Sequence, residues 1–129
     1  MTTYNDQISS YISSLFAVED ESLLRAREES PKHGLPTINI KPEEGRFLQF
    51  LTRSCGARKA VEIGTLGGYS GIWIARGLLP GGKLFSIDKE TKHAQVAKEH
   101  FAAAGLSEVI QVRVGDAHRI LTELSDQGP

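Results

Sequence analysis

Apolar side chains recur at helical spacing in the first part of the chain. They fall on one face of a helical repeat, which predicts an amphipathic helix over about the first sixteen residues. The residues of this apolar repeat are Tyr4, Ile8, Tyr11, Ile12 and Leu15. A second, charged helix is predicted over 19–29, with Leu23 and Leu24 as its main apolar anchors. Residues 1–35 are therefore expected to form an amino-terminal helical segment.

Proline and glycine interrupt this pattern before a third helix begins. Pro31, Gly34 and Pro36 predict an irregular segment that lasts through Lys41. Pro42 suits the first turn of the next helix, because its fixed backbone angle is helical and the N–H that it lacks would have no helical partner there. The apolar residues expected on the buried side of that helix are Phe47, Leu48, Phe50 and Leu51.

From residue 60 the pattern alternates between short β-type runs and helical repeats. The predicted strands are 60–63, 83–87 and 109–114. The predicted helices are 69–79, 91–104 and 116–124, with Gly105 as the C-cap of the second. Strands separated by helices require right-handed crossovers, so the predicted fold is α/β, with a parallel sheet and helices on both faces. No repeat, low-complexity tract or linker divides the chain, and 1–129 is expected to be a single domain.

The composition of the chain indicates which classes of binding partner and which location to expect. Of the 129 residues, 40% are hydrophobic and 24% are charged, and the formal net charge is -1. This near-neutral balance gives no electrostatic reason to expect nucleic acid or an anionic membrane as a partner. No apolar run is long enough to span a bilayer, and the amino terminus lacks the basic and apolar regions of a signal peptide. The single cysteine, Cys55, excludes an internal disulfide, fits a cytoplasmic location and is expected to be a small buried hydrophobe.

A glycine-rich turn joins the first predicted strand to its helix. It lies in the segment Val61-Glu62-Ile63-Gly64-Thr65-Leu66-Gly67-Gly68-Tyr69-Ser70, and Asp88 ends the second strand twenty residues after Gly68. Because the carboxyl ends of neighbouring parallel strands adjoin, the turn and the acid predict a nucleotide-type cofactor site. Leu66 and Tyr69 stand where a dinucleotide fingerprint needs glycine for the approach of a pyrophosphate, which favours a nucleoside without a diphosphate.

The same residues suggest how such a ligand would be held. Asp88 can accept hydrogen bonds from both hydroxyls of a ribose. The helix that opens at Tyr69 and Ser70 offers free N–H groups to a carboxylate. The alternative is a purely structural turn, because glycine-rich turns also arise wherever a chain must reverse tightly.

At these residues the chain resembles class I S-adenosylmethionine-dependent methyltransferases, and more narrowly the small-molecule O-methyltransferases of the catechol and caffeoyl-CoA type. The resemblance covers most of the chain from about Pro36 onward. Its most specific segments are Lys41-Pro42-Glu43-Glu44-Gly45-Arg46-Phe47-Leu48 and Val61 through Ser70, with weaker support from Phe85-Ser86-Ile87-Asp88 and Val114-Gly115-Asp116-Ala117. It implies a Rossmann-like methyltransferase fold, of which the chain carries the first three strands plus amino-terminal helices. It also implies S-adenosyl-L-methionine (SAM) as cofactor.

The resemblance assigns the methionine and ribose parts of the cofactor to residues near the glycine turn. The methionine end is assigned to Glu62, Gly64 and Ser70. Gly68 is expected to allow close approach of the backbone to the cofactor. Asp88 is assigned the ribose hydroxyls.

Two further groups of residues follow from the resemblance. Asp116 and Ala117 are expected beside the adenine, with the backbone N–H of Ala117 donating to the ring. A loop that flanks cofactor and acceptor corresponds to Ile38, Asn39 and Ile40, with Asn39 assigned to the substrate.

The family also uses a divalent cation, usually Mg²⁺, to position the acceptor hydroxyl and to lower its pKa. Its ligands follow the fourth and fifth strands of the family fold, and no residue of this chain matches them. The chain ends at Pro129, where the fourth strand is expected, so we expect it to carry the cofactor-binding half without metal ligands or catalytic residues. Asp116, Glu123 and Asp126 are interpreted as helix-surface charges, and the four histidines as solvated or structural.

Three functions remain open at this point. The first is O-methyl transfer to a hydroxyl of a small aromatic acceptor, by an enzyme whose isolated half is not expected to turn over. The second is a non-catalytic SAM-binding or dimerisation module, and the third is a nicotinamide-dependent oxidoreductase, which Leu66 and Tyr69 disfavour. Since the first strand would form an exposed apolar edge, a homo-oligomer, expected to be a dimer, is predicted. Trp73 is expected in the core rather than on a substrate platform, whereas Tyr69 is left undecided.

Overall fold

The computed structural model describes residues 5–126, and its amino-terminal helices begin at side-chain caps. Helix α1 (Asp6–Phe16) follows Asn5, whose side chain accepts a hydrogen bond from the Ile8 N–H. Helix α2 (Glu21–Glu29) follows Asp20, which caps it in the same way. A single 3-10 turn (Pro31–His33) and an extended segment lead to helix α3 (Pro42–Ser54). The predicted helices are confirmed with shifts of a few residues at their ends; Tyr4, assigned to the first of them, lies outside the described residues.

The rest of the chain is a parallel sheet with helical crossovers. Its strands, in the spatial order β1-β2-β3, are β1 (Lys59–Ile63), β2 (Lys83–Asp88) and β3 (Ile110–Val114). The helices that follow them are α4 (Tyr69–Gly77), α5 (Thr91–Ala103) and α6 (Ala117–Ser125). In the register of the sheet, Glu62 of β1 lies beside Ser86 of β2, and Asp88 lies beside Val114. The predicted α/β fold with a parallel sheet is confirmed.

Apolar clusters cover both faces of the central strand. On one face Leu84 packs with Ile72, Trp73 and Phe101 from α4 and α5. On the other face Ile87 packs with Ile120 and Leu124 of α6. Alternate side chains of β2 therefore point into different cores, as expected for a strand buried on both sides. Trp73 belongs to the core, as predicted.

The predicted burial is wrong for part of the amino-terminal half. Phe47, Phe50 and Leu51 of α3 are 57%, 61% and 45% exposed, although all three were expected on its buried side. The buried residue of α3 is instead Gly45, where an added Cβ would lie 2.3 Å from Cδ1 of Trp73. Close backbone approach, rather than large apolar side chains, thus brings α3 against α4. Cys55, which follows α3, is exposed and not the buried hydrophobe that was expected.

One edge of the sheet carries uncovered apolar side chains. Within residues 5–126, β1 pairs only with β2, and Val61 and Ile63 are 44% and 63% exposed. The predicted exposed apolar edge is therefore present in the described part of the chain. None of the helices described is long and apolar enough to cross a membrane.

Candidate functional site

The site is built on the turn between β1 and α4. Gly64 and Gly68 have φ angles of +93° and +87°, a region in which an L side chain is strained. Leu66 also has a positive φ of +47°. The N–H groups of Thr65 and Leu66 both point away from their own strand and donate to Oδ2 of Asp88, each at 3.0 Å. The acid at the end of β2 therefore holds the turn that follows β1.

Asp88 is a buried carboxylate with most of its acceptor positions in use. Besides the two turn N–H groups, Oδ2 lies 3.3 Å from Nδ1 of His93, whereas Oδ1 accepts, among residues 5–126, only the Glu90 N–H, at 2.9 Å. Burial raises the pKa of Asp88, but the N–H groups of Glu90 and Leu66 and the nearby His93 outweigh it and lower this pKa below its ordinary value. Oδ1 therefore has the free lone pair with which an ionised Asp88 can receive a ligand hydroxyl.

Two adjoining cavities meet at this acid. The first, of about 310 Å³, is lined by predicted residues of the flanking loop and of α4, namely Ile38, Asn39, Ile40 and Ser70. The second, of about 330 Å³, includes Asp116 and Ala117 at the start of α6. Gly64, Asp88 and Lys89 line both. The structure thus brings eight of the ten predicted site residues to two cavities that share lining residues at the carboxyl ends of the strands.

Glu62 lies beneath the first cavity rather than in its wall. Its Oε1 is in short hydrogen-bonding contact with Oγ of Ser70, and its Oε2 lies 2.6 Å from Oγ of Ser86. Oγ of Ser86 is in turn 2.7 Å from Oγ1 of Thr65. Burial is the main reason why the pKa of Glu62 is raised above its ordinary value, with the nearby Asp88 adding to the effect. Glu62 can therefore act on a ligand through Ser70, which does line the cavity.

The two glycines with predicted cofactor roles differ in their surroundings. A Cβ at Gly64 would meet no atom within 4 Å, and Gly64 lines both cavities. A Cβ at Gly68 would instead lie 2.6 Å from Cε1 of Phe101, and Gly68 lines neither cavity. The structure gives Gly68 a packing reason for being glycine, whereas its predicted approach to a cofactor stays a prediction.

The segment before residue 30 is tied directly to the site. The hydroxyl of Tyr69 donates to Oε1 of Glu19 at 2.8 Å, and Glu19 also receives two hydrogen bonds from Arg27, of 2.9 and 2.8 Å. The side chain of Tyr69 is buried, so it is an anchor between α2 and α4. Ser30 is also buried and packs under Gly67, where an added Cβ would lie 1.8 Å from its Oγ.

The histidines only partly follow the prediction. His100 is buried and donates from Nδ1 to the Gly67 carbonyl at 2.7 Å, a structural role, and His33 and His118 are exposed. His93 instead lines the first cavity and contacts Asp88. Its position five residues after Asp88, in the first turn of the next helix, is the sequence signal that could have placed it there.

A metal site is not present among residues 5–126, where no group of three or more His, Cys, Asp or Glu side chains could hold an ion. Two of the acids considered above have other partners. Asp116 caps α6 by accepting the Arg119 N–H, and Glu123 pairs with Arg113 at 2.7 Å. The residues described do not fit a divalent cation.

Another depression, of about 390 Å³, lies between α1 and α3, away from the strand ends. Its lining is mainly apolar and includes Ile12, Leu15, Phe16, Phe47 and Phe50. It lacks the convergence of hydroxyl, carboxylate and free N–H groups that marks the cavities around Asp88, so the latter are the better candidate for a ligand site.

Comparison with known proteins identifies relatives of this arrangement. Residues 10–129 match the sequence model of a family described as O-methyltransferase. A catechol O-methyltransferase of Niastella koreensis is 41% identical over 123 residues, which are 95% of this chain and 56% of that protein.

Solved structures give the same result. The O-methyltransferase from Bacillus cereus, in complex with SAH, superposes with a TM-score of 0.89 and 36% identity, over 93% of this chain and 55% of that one. The O-methyltransferase TomG from Streptomyces achromogenes, in complex with SAM, also gives a TM-score of 0.89, with 38% identity over 95% of this chain and 55% of that one. The chain spans about half the length of the curated relatives that it matches.

Proposed function

The chain belongs to the O-methyltransferase family, and from that premise we propose that it binds SAM at the depression around Asp88. The activity proposed for the whole protein is transfer of the methyl group to a hydroxyl of a small, aromatic acceptor. The observation that carries the proposal is the meeting of two cavities at Gly64 and Asp88, at the carboxyl ends of β1 and β2. In such a cofactor a base and a charged tail are joined through a ribose. The two cavities likewise meet at Asp88, whose carboxylate can accept hydrogen bonds from ribose hydroxyls.

Each part of the cofactor has a matching set of groups in the protein. The free lone pair on Oδ1 of Asp88 would receive a ribose hydroxyl. The second cavity would hold the adenine beside Asp116 and Ala117, because the first N–H groups of α6 have no partner within that helix. The first cavity would hold the methionine tail against Ser70 and the amino-terminal end of α4.

The remaining predicted residues would act in support. Glu62 would hold Ser70 in place from below, and Gly68 would keep the turn in the shape that exposes Gly64. The loop residues Ile38 and Ile40 would cover the reacting end of the cavity and exclude water, with Asn39 toward the acceptor.

Methyl transfer mainly requires that the acceptor oxygen be aligned with the methyl group. When bound, SAM supplies an electrophilic methyl group on its sulfonium, so the protein has to hold the acceptor oxygen in line with it. Because the residues described do not fit a divalent cation, no step is assigned to Mg²⁺ here.

Calorimetric titration tests the binding proposal. The chain is titrated with S-adenosylhomocysteine and, separately, with NADH, and the same titrations are repeated with Asp88→Asn. The matched control is Asp6→Asn, since Asp6 is an exposed acid on α1. We expect S-adenosylhomocysteine to bind the parent chain and the control equally. Tight binding of NADH without S-adenosylhomocysteine would overturn the proposal.

A second candidate, SAM binding without catalysis, is favoured by the lack of a metal-ligand cluster in residues 5–126. A methyl-transfer assay with catechol, with and without Mg²⁺, separates the two. Because the isolated half is not expected to turn over, the assay is also run on a chain extended beyond Pro129. Methylated product from either chain supports the enzyme, whereas cofactor binding with no product from either supports the binding module.

We further propose that the chain forms a homodimer through its uncovered apolar side chains. Its support is the exposure of Phe47 and Phe50 on α3 and of Val61 and Ile63 on β1. Sedimentation velocity at several protein concentrations tests this. A compact monomer throughout that range would be inconsistent with the dimer.

A further inference from the structure

Four polar side chains in and beneath the wall of the first cavity form a linear chain of hydrogen bonds. In order they are Ser70, Glu62, Ser86 and Thr65, linked by one short contact and by distances of 2.6 and 2.7 Å. Glu62, Ser86 and Thr65 are buried, and Ser70 is partly exposed to the cavity. Each hydroxyl has one proton, so the proton count of the chain decides which of its groups can donate toward a ligand.

The surroundings of Glu62 favour its neutral form. Among residues 5–126, no ion pair joins Glu62 to a cation, and the charged group that acts on it is another acid, Asp88 on β2. From α4 it is faced by Ser70 and by Gly71, where an added Cβ would lie 3.2 Å from Oε2. An ionised carboxylate without a cation is costly to bury, and two hydroxyl donors alone compensate that cost poorly.

A proton on Glu62 reverses the direction of the hydrogen bond between Glu62 and Ser70. With the proton on Oε1, Glu62 donates to Ser70 and its Oε2 accepts from Ser86, while Thr65 donates to Ser86. Every proton then has an acceptor except that of Ser70, which is free to point into the cavity. Thr65 is only 1% exposed, so Ser70 is the hydroxyl better placed to present this proton to a ligand.

We propose that a neutral Glu62 is a positioning residue that makes Ser70 a hydrogen-bond donor, so that Ser70 and the first N–H groups of α4 together bind the carboxylate of the methionine tail. The inference rests on the proposed function. It adds that Glu62 acts through its proton rather than through contact with the cofactor. Once Glu62 ionises, the Ser70 hydroxyl donates to its Oε1 instead of to the ligand, and a negative charge lies below the ligand carboxylate, so binding weakens as the pH rises through the pKa of Glu62.

Glutamine is a sharp test because its amide copies the neutral acid. In Glu62→Gln the NH₂ group can donate to Ser70 while the carbonyl oxygen accepts from Ser86, at any pH. The dissociation constant of S-adenosylhomocysteine is measured from pH 5.5 to 8.5 for the parent chain, Glu62→Gln, Ser70→Ala and Ser86→Ala. His93 and the ligand are common to all the proteins, so the comparison isolates Glu62.

At low pH we expect Glu62→Gln to bind S-adenosylhomocysteine within about threefold of the parent. At high pH its affinity should fall less than that of the parent, because glutamine cannot ionise. Ser70→Ala should bind about 10-fold to 100-fold more weakly at low pH, the value of one hydrogen bond to a charged group. With 5′-S-(3-aminopropyl)-5′-thioadenosine, which lacks the carboxylate, the same substitution should have an effect below about threefold. Ser86→Ala leaves the Ser70 contact intact but removes a hydrogen-bond donor that lowers the pKa of Glu62, so it should keep the weakening and move it to higher pH.

Three results would overturn the inference. The first is loss of binding by more than tenfold in folded Glu62→Gln at every pH, which would show that the charge of Glu62 is needed. The second is a parent pH profile identical to that of Glu62→Gln. The third is an equal effect of Ser70→Ala on both ligands. These differ from failure of the proposed function, in which the parent chain itself does not bind S-adenosylhomocysteine. Circular dichroism of each variant establishes folding, and Ser70→Ala tests the same contact if Glu62→Gln does not fold.

Discussion

Alanine substitutions should show that the glycine at position 64 matters mainly for ligand affinity, whereas the glycine at position 68 matters mainly for the stability of the fold. Both residues have φ near +90°, so each alanine carries the cost of a left-handed backbone, about 1–2 kcal/mol. At Gly64 nothing further is added, because the new Cβ meets no atom within 4 Å. At Gly68 the new Cβ would lie 2.6 Å from Cε1 and 2.9 Å from Cζ of Phe101. Relief of that overlap should cost about a further 1–3 kcal/mol.

Urea unfolding followed by the fluorescence of Trp73 measures the stabilities, since Trp73 is the single tryptophan and is buried. We expect Gly68→Ala to lose about 2–5 kcal/mol and Gly64→Ala about 1–2 kcal/mol relative to the parent chain. Affinity for S-adenosylhomocysteine should show the opposite order. The folded fraction of Gly68→Ala should bind within about threefold of the parent, while the Cβ of Gly64→Ala projects into the cavity and should weaken binding by more than about tenfold.

A second substitution checks the cause of the Gly68 effect. Phe101→Leu removes the ring atoms that the alanine would strike, so the double variant should be less destabilised than the sum of the two single variants, by about 1 kcal/mol. Strict additivity would refute the steric explanation. Equal loss of stability at Gly64 and Gly68, with equal binding, would refute the assignment of their different roles.

The other predictions concern charge, pH and thiol chemistry. Asp88→Asn should weaken S-adenosylhomocysteine binding about 10-fold to 100-fold, and unchanged affinity in calorimetry would contradict the ribose role. The same substitution should destabilise the fold by about 1–3 kcal/mol, because one of the N–H groups of Leu66, Thr65 and Glu90 would lose its acceptor. The pKa of Glu62 is raised in the folded state, so folding stability should fall as the pH rises from the unfolded value of 4.5 through the folded pKa, and urea unfolding should show this fall to be absent in Glu62→Gln. Cys55 should react with one equivalent of a thiol reagent without denaturant, because it is exposed, and protection until unfolding would contradict its placement.

The order and type of the elements were predictable because local pattern and chain chemistry agree over most of the chain. Pro42 and Gly105 stand at helix ends, and the strands are short apolar runs between clear turn residues. The glycine turn and Asp88 were predictable for a related reason. Parallel strands present their carboxyl ends at one edge, so two residues far apart in sequence had to be neighbours.

Burial was harder to predict, because a repeat shows that apolar residues share a face but not what covers that face. Phe47 and Phe50 fit a buried stripe and are exposed, and the helix packs through Gly45 instead. The packing reason for a glycine at position 68 depends on Phe101, which belongs to the later helix α5. His93 was missed although its position five residues after Asp88 was a signal, because its contact with Asp88 also depends on the angle at which α5 leaves the strand.

The hydrogen bonds of Glu19 and the packing of Ser30 have a practical consequence for anyone who trims this protein. A deletion that starts the chain after residue 35 would cut a segment that looks dispensable, yet it would strip the acceptor from the Tyr69 phenol and the support from beneath Gly67. Tyr69 lines the first cavity, where the tail of a nucleoside would rest, and Gly67 belongs to the same turn. Shortened versions should therefore keep these first helices, and an affinity tag is better placed ahead of α1 than in place of it.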